Sequence, residues 1–204
     1  MADLSQTFDV LIAGGGNAAL CAAITARRAG ASVVVAEHAP RPMRGGNSRH
    51  TRNVRSLHHG PTGVLTESYL EEEYWDDLRR VTAGKTNEQL ARLCIRASEE
   101  APKFLESCGV VFQPSLSGTL SLSRTNAFFL GGGKALMNEL YRPAESRGVT
   151  ILYDTEVQHV VVKDGFATEA IVSHRGFPAT IKFKAFVASA GGFQANREWL
   201  RKYW

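Results

Sequence analysis

Cysteine is scarce in this sequence, with three residues among 204, Cys21, Cys94 and Cys108. None stands in a C-x-x-C pair, which excludes a thioredoxin-type motif, and their apolar or helical surroundings predict buried thiols. Long hydrophobic runs are also missing. Gly14, Gly15 and Gly16 interrupt the one apolar stretch near the N-terminus, which argues against a secretory leader or a membrane span and points to the cytoplasm. Charge of one sign is lacking too, since the net charge is only +4. The one basic concentration is Arg41, Arg44, Arg49, Arg52 and Arg55. It carries no interleaved aromatics, so it suits an anionic small molecule and not a nucleic acid. Metal-ligand spacing is absent as well. The acidic run Glu71-Glu72-Glu73 has no His or Cys beside it, so it reads as a solvated helix face and no metal is expected. Finally, Gly131-Gly132-Gly133-Lys134 is followed by Ala135 and lacks P-loop spacing, which excludes a nucleoside triphosphate loop.

What is present begins at Asp9. Four apolar residues, Val10 to Ala13, run into Gly14-Gly15-Gly16-Asn17-Ala18-Ala19, and small residues continue at Ala22, Ala23 and Ala26. The pattern predicts a buried strand over 8–13, a tight turn and a helix over 16–29, with Gly30 as its C-terminal glycine. Gly14, Gly16 and Ala19 occupy the three places of a G-x-G-x-x-A dinucleotide fingerprint. Gly14 permits the turn, Gly16 lets a pyrophosphate approach the backbone, and Ala19 keeps the helix close to the strand. The N–H groups and helix dipole around 16–19 suit the anion. A second strand over 32–37 ends in Glu37, about 20 residues further on, where a carboxylate accepts from the ribose hydroxyls. A carboxylate at that place argues against NADP.

A long loop follows, from Pro40 to Asn53, whose Gly45-Gly46-Asn47-Ser48 segment would present N–H groups to something flat or anionic. Residues 63–108 read as helices. One covers Glu67 to Arg80. Another opens at Thr86-Asn87-Glu88 with Leu90, Leu93 and Cys94 on its apolar face. A third restarts near Pro102, with Phe104 and Leu105 as core residues and Gly109 as its end. Val110 to Gln113 reads as a short strand, and Pro114 to Asn126, with leucines at 116, 120 and 122, as a hairpin or irregular loop. A helix from about Ala135 is expected to be kinked or shortened by Pro143. Strands are expected over 148–153 and 155–163, with a turn at Asp164-Gly165, a partner strand over 170–174 and a third over Thr180 to Phe183. A separate apolar strand then breaks at Gly191-Gly192, and a helix follows from Asn196.

Together, Gly14-x-Gly16-x-x-Ala19, Glu37, Gly45-Gly46-Asn47-Ser48 and Ser189-Ala190-Gly191-Gly192-Phe193 resemble the flavoprotein subunits of fumarate reductase and succinate dehydrogenase. The wording Arg44 to Asn53 is most similar to the tricarballylate dehydrogenase branch. The resemblance implies an α/β, Rossmann-like FAD-binding domain with a parallel central sheet, a small antiparallel β-meander and a helical insertion. It implies FAD as cofactor, held by Gly14, Gly16, Asn17 and Ala18 at the turn and by Glu37 and His38 at the second strand. Arg44, Gly45, Gly46, Asn47 and Ser48 would follow along the flavin, with the Ser48 backbone near the redox-active nitrogen. Val157 would meet the adenine, and Ala190 and Gly191 would close over the pyrophosphate and ribose. Ser189-Ala190 replaces the family's Ala-Thr, so a threonine hydroxyl contact is lost. Asn47 stands where membrane-bound relatives carry the flavin-linking histidine, so FAD is expected to be noncovalent. His50, His58 and His59 read as loop histidines, with a substrate carboxylate contact from His50 or Arg52 as the alternative.

The implied organisation is a first part of the FAD-binding domain over 1–62, a helical insertion over 63–124 and a second part over 125–204. The capping domain that supplies the proton-transfer arginine in full members is expected to be absent, so no catalytic residue is named. The implied activity is a dehydrogenase acting on the C–C bond of a di- or tricarboxylate, with hydride exchanged with flavin N5. Its partners would be the polycarboxylate and an electron acceptor, such as a membrane-associated protein. An NAD-binding module of another dehydrogenase and a truncated product without activity stand as alternatives. The Gly-Gly-Asn-Ser loop and the Ala-Gly-Gly segment argue against the former.

Overall fold

The structure is a computed structural model that describes residues 4–115 and 121–203. In chain order the first elements are β1 (Thr7–Ala13), α1 (Asn17–Arg28), β2 (Val33–Ala36) and β3 (Asn53–Arg55). Three helices follow, α2 (Glu71–Val81), α3 (Glu88–Ala97) and α4 (Ala101–Ser107), and then β4 (Asn126–Phe128) and α5 (Gly132–Ser146). The chain ends with β5 (Thr150–Leu152), β6 (Thr155–Lys163), β7 (Phe166–His174), β8 (Phe177–Ala188) and α6 (Arg197–Tyr203). They form two compact units. One comprises the described residues up to Arg49 and from Leu140 onward; the other is His50–Glu139.

The first unit is built on a six-stranded sheet in the order β5-β2-β1-β8-β7-β6. β5, β2, β1 and β8 run parallel, while β6, β7 and β8 form an antiparallel meander. Phe8, Leu11, Val34, Ala36, Ile181 and Phe183 pack in one core cluster with Leu152, Ala170 and Val172. Each such fully buried large apolar side chain stabilises the fold by roughly 1.5–3 kcal/mol. α1 buries Ala19, Leu20, Ala23 and Ile24, and the alanines let the helix lie close to the strands. Gly30, at φ +89°, follows its last turn as expected. In register, Ala13 pairs with Ala36 on one side and Ala188 on the other, and Ala36 pairs with Leu152. Four parallel strands therefore end at one level.

The sequence expectation of two separate strands over 180–183 and 185–193 is corrected here. β8 is one continuous strand of 12 residues. Lys182 is the handover point, pairing with Glu169 of β7 and with Thr7 of β1. The helix expected to be kinked or shortened by Pro143 is not shortened there, since it continues to Ser146.

Asp9 fastens the start of this sheet. Its Oδ2 accepts the Ser32 N–H and hydroxyl, both at 2.7 Å, and Oδ1 accepts Lys184 Nζ at 2.7 Å. Lys184 first, then Ser32, hold the Asp9 carboxyl well below the usual carboxylate range. Stability from a depressed carboxyl is complete above its ordinary pKa and is lost as pH falls toward the depressed value. Asp9→Asn is therefore expected to lower the unfolding temperature at pH 7, with the gap to the parent chain closing below about pH 4. A gap unchanged from pH 7 to about pH 3 would contradict this.

The second unit joins the α2–α4 helices to the small antiparallel pair β3–β4. α2 begins at Glu71 and not at Glu67, because Tyr69 forms a bridge with His58 and is fully buried. The Leu90, Leu93 and Cys94 face of α3 is exposed. The helix turns Ile95 inward instead, onto Leu57 and Trp75, with Ala91 beside them. Cys108 is buried as expected, Cys21 is half-buried, and Phe104 is half-buried beside buried Leu105. The acidic run is ion-paired and not simply solvated: Glu71 bonds Arg96 and Arg92, Glu72 bonds Arg92, and Glu73 bonds Arg124. Val110 to Gln113 forms only an isolated bridge, Phe112 to Phe129. Of the expected hairpin, Leu116 and Leu120 lie outside the described residues, and Leu122–Arg124 is a 3-10 turn.

Among the described residues no helix is long and apolar enough to cross a membrane.

Candidate functional site

The level strand ends of the first unit leave a crevice, the place where open α/β sheets bind ligands. A cavity of about 910 Å³ lies there, near the upper end of the range for ligand pockets. Its wall is assembled from the turn Gly14–Ala18, the β2 end at Glu37 and His38, and the loop Gly45–Ser48. Glu156 and Val157 of β6, Ala188 at the end of β8 and the chain beyond it from Ser189 to Gly192 add to the wall.

The three glycines of the turn do different things. Gly14 has φ +105°, and a Cβ there would overlap the Ser189 carbonyl oxygen. Its N–H donates to Ala36 O at 2.8 Å, while Ser189 N–H donates to Ala13 O at 2.8 Å. This glycine is what lets β1 and the continuation of β8 run together past the sheet. At Gly15 a Cβ would overlap Glu37 Oε2 and the Tyr141 hydroxyl. Gly16 is different, since its backbone is ordinary extended chain (φ −77°, ψ −174°) and a Cβ there would meet only Ser48 Oγ, at 3.3 Å, and Gly45 O. The bareness of Gly16 keeps space open in front of α1, whose first-turn N–H groups have no carbonyl four residues back.

Glu37 is only 6% exposed. Its Oε1 accepts the Ala39 N–H at 2.8 Å and its Oε2 the Gly45 N–H at 3.4 Å. A carboxylate has about four lone-pair sites, so acceptor capacity is left for a ligand hydroxyl. Ser48 Oγ accepts the Asn17 N–H at 3.1 Å, tying the Gly-Gly-Asn-Ser loop to the start of α1. Among the described residues no Lys or Arg lines the cavity, so an anion there would be met by backbone N–H groups and the helix dipole.

Gly14, Gly16, Asn17, Ala18, Glu37, His38, Gly45, Gly46, Asn47, Ser48, Val157, Ala190 and Gly191 all line this one cavity. Arg44 is the exception. Its guanidinium bonds Tyr153 Oη at 2.7 Å and Glu145 Oε1 at 3.2 Å, and it stacks on the Tyr141 ring. His50 and Arg52 belong to the second unit and do not line the cavity. His58 is buried, with Nδ1 2.9 Å from Ser56 O and Nε2 3.3 Å from Thr66 O, and His59 lies 3.7 Å from Glu99.

Sequence reasoning missed Gly15, Glu156, Phe186 and Gln194, which also line the wall. Gly15 was visible as the middle residue of the triple glycine. The other three carried no local signal.

Comparison with known proteins accords with this geometry. The family described as "FAD binding domain" matches residues 9–203. The NADH:fumarate oxidoreductase of Klebsiella pneumoniae (strain 342) is 27% identical over 97% of this chain and 22% of its own length. A probable fumarate reductase, Ifc3, of Shewanella frigidimarina (strain NCIMB 400) is 26% identical over 98% of this chain and 34% of its own. The chain thus spans only 22% and 34% of the lengths of these two curated relatives. The solved open conformation of a flavocytochrome c3 fumarate reductase superposes with a TM-score of 0.80 at 25% identity, covering 98% of this chain and 36% of that one.

Proposed function

The chain belongs to the FAD-binding domain family of FAD-dependent oxidoreductases, and from that premise we propose that it is the FAD-binding portion of a dehydrogenase. The reaction proposed is at the C–C bond of a di- or tricarboxylate, with tricarballylate, fumarate and succinate as the substrates to test. The observation that carries the reading is the cavity itself. It gathers the bare Gly16, the buried Glu37 and the Gly45–Ser48 loop at the ends of the parallel strands.

In this reading the Gly14–Ala18 turn holds the pyrophosphate, because Gly16 leaves its approach clear. Glu37, beside His38, takes the ribose hydroxyls with the acceptor capacity that Ala39 and Gly45 leave unused. Val157 faces the adenine, the Gly46–Ser48 backbone lies along the flavin, and Ala190 and Gly191 close over the ribose. Asn47, an amide without a nucleophilic ring nitrogen, leaves the cofactor noncovalent. When bound, FAD supplies the two-electron carrier that no side chain provides. The chain's own part is to bind and orient it. An electron acceptor, such as a membrane-associated partner, would complete turnover, and no residue of the chain is assigned the proton transfer.

The test is to load the chain with FAD and titrate it with tricarballylate, succinate and fumarate while recording the flavin absorption bands. The expected result is a saturable band shift with polycarboxylates and none with butyrate, a monocarboxylate. A flavin-loaded chain that answers no polycarboxylate, or answers butyrate equally, would overturn the substrate assignment.

A further inference from the structure

We propose that Tyr141 is a positioning residue for the cofactor, fixing the Gly14–Ala18 turn and the Gly45–Ser48 loop to one point behind the cavity; this rests on the FAD reading of that cavity. Tyr141 lies on α5, is fully buried, and does not line the cavity itself. Its hydroxyl donates to the Gly15 carbonyl oxygen at 2.9 Å. A trans peptide is planar, with its C=O and N–H on opposite sides. Holding the Gly15 carbonyl toward α5 therefore turns the Gly16 N–H the other way. The contact has no slack, since a Cβ on Gly15 would overlap both the Tyr141 hydroxyl and Glu37 Oε2. Burial, and next the Glu37 charge, push this phenol well above its ordinary range. It is a protonated donor at neutral pH.

The ring of the same tyrosine makes the second contact. The Arg44 guanidinium sits 3.9 Å above its centroid, within cation–π distance. Arg44 is kept there by Tyr153 Oη and Glu145, and its side chain is 16% exposed. It immediately precedes Gly45-Gly46-Asn47-Ser48. One side chain thus grips the turn through its hydroxyl and the loop through its ring, which explains why an arginine next to the loop is turned away from the cavity.

The two grips are separable. Tyr141→Phe removes the hydroxyl and keeps the ring, while Arg44→Gln removes the cation and keeps a shorter, polar side chain. ADP and FAD share the turn and the contacts at Glu37 and Val157, and only FAD also reports the loop along the flavin. Dissociation constants for both ligands are measured on the parent chain and both variants, with thermal unfolding beside them. Tyr141→Phe is expected to weaken ADP and FAD by the same factor, on the order of 5- to 10-fold for one hydrogen bond. Arg44→Gln is expected to weaken FAD by a similar factor while leaving ADP within about twofold. A tyrosine with only a packing role would lower the unfolding temperature without moving either constant. Parent-like ADP and FAD binding in Tyr141→Phe would overturn the proposal. Should that variant fail to fold, Arg44→Gln decides, and equal loss of both ligands or loss of neither would overturn it. If the parent chain binds neither ligand, the FAD reading itself fails, a result visible before any substitution is made.

Discussion

Valine in place of Gly16 is expected to leave the chain folded and unable to retain FAD. The backbone there is extended, at φ −77° and ψ −174°, which any residue can adopt. The new Cβ would come within 3.3 Å of Ser48 Oγ, the end of a small side chain that can rotate aside. Valine is a poorer helix N-cap than glycine, at a cost of about 1 kcal/mol or less. The branched side chain nevertheless stands where a pyrophosphate must reach the N–H groups of α1. Affinity should fall at least about 100-fold, equivalent to roughly 3 kcal/mol. Flavin content per chain after gel filtration, read beside thermal unfolding, checks both halves. Parent-level flavin in the folded variant would remove Gly16 from the site.

Gly14→Ala should do the reverse and strike the fold. Alanine must adopt φ +105°, outside the regions open to residues with a Cβ, at a cost of order 1–3 kcal/mol. Its methyl would also overlap the Ser189 carbonyl oxygen and lie 3.1 Å from Ala190 Cα, both backbone atoms that cannot rotate away. Relief requires the chain after β8 to move, which breaks the Ser189 N–H to Ala13 O bond. The sum is expected to be about 3–5 kcal/mol, at the diagnostic end of single-substitution effects. Urea unfolding should show a lower midpoint with an unchanged slope. A midpoint within error of the parent would mean that the β1–β8 junction is not rigid. The two motif glycines, two positions apart, are thus expected to fail in opposite ways, one in stability and one in binding.

Much of this was legible in the sequence, and where it was not there are physical reasons. The β1–turn–α1–β2 unit could be read because its signals are local: an apolar run, a turn glycine, small helix residues and a carboxylate at the next strand end. Asn87 likewise announced the start of α3, and its side chain does accept the Leu90 N–H at 2.9 Å. β8 was split in two because its pattern changes along its length. Ile181 and Phe183 alternate with lysines where the strand leaves the meander, and the run from Ala185 to Ala188 becomes continuous where β1 flanks it. The alternation matches burial at Ile181 and Phe183, whereas Ala185 and Ala188 are exposed and Phe186 and Val187 half-buried, so the apolar run there marks neither a new strand nor a buried one.

The buried face of α3 is hidden in the sequence for another reason. Leu90 and Leu93 make the stronger stripe, yet Leu57 and Trp75 arrive on the side of Ile95. Which face a helix buries is set by segments distant in sequence. The same limit hides Tyr141, whose spacing with Met137, Leu140 and Ala144 on α5 reads as core. Only the fold brings its hydroxyl to Gly15. Arg44 could be seen beside the loop, but the direction of its side chain depends on Tyr141, Tyr153 and Glu145, all about 100 residues away in the chain.

The central claim, that the cavity at the parallel strand ends takes FAD, is tested most directly by the visible absorption spectrum of the purified chain before and after incubation with FAD and gel filtration. The account predicts a resolved, red-shifted flavin spectrum that comigrates with the protein at about one flavin per chain. A folded, colourless chain that releases all added FAD would contradict it.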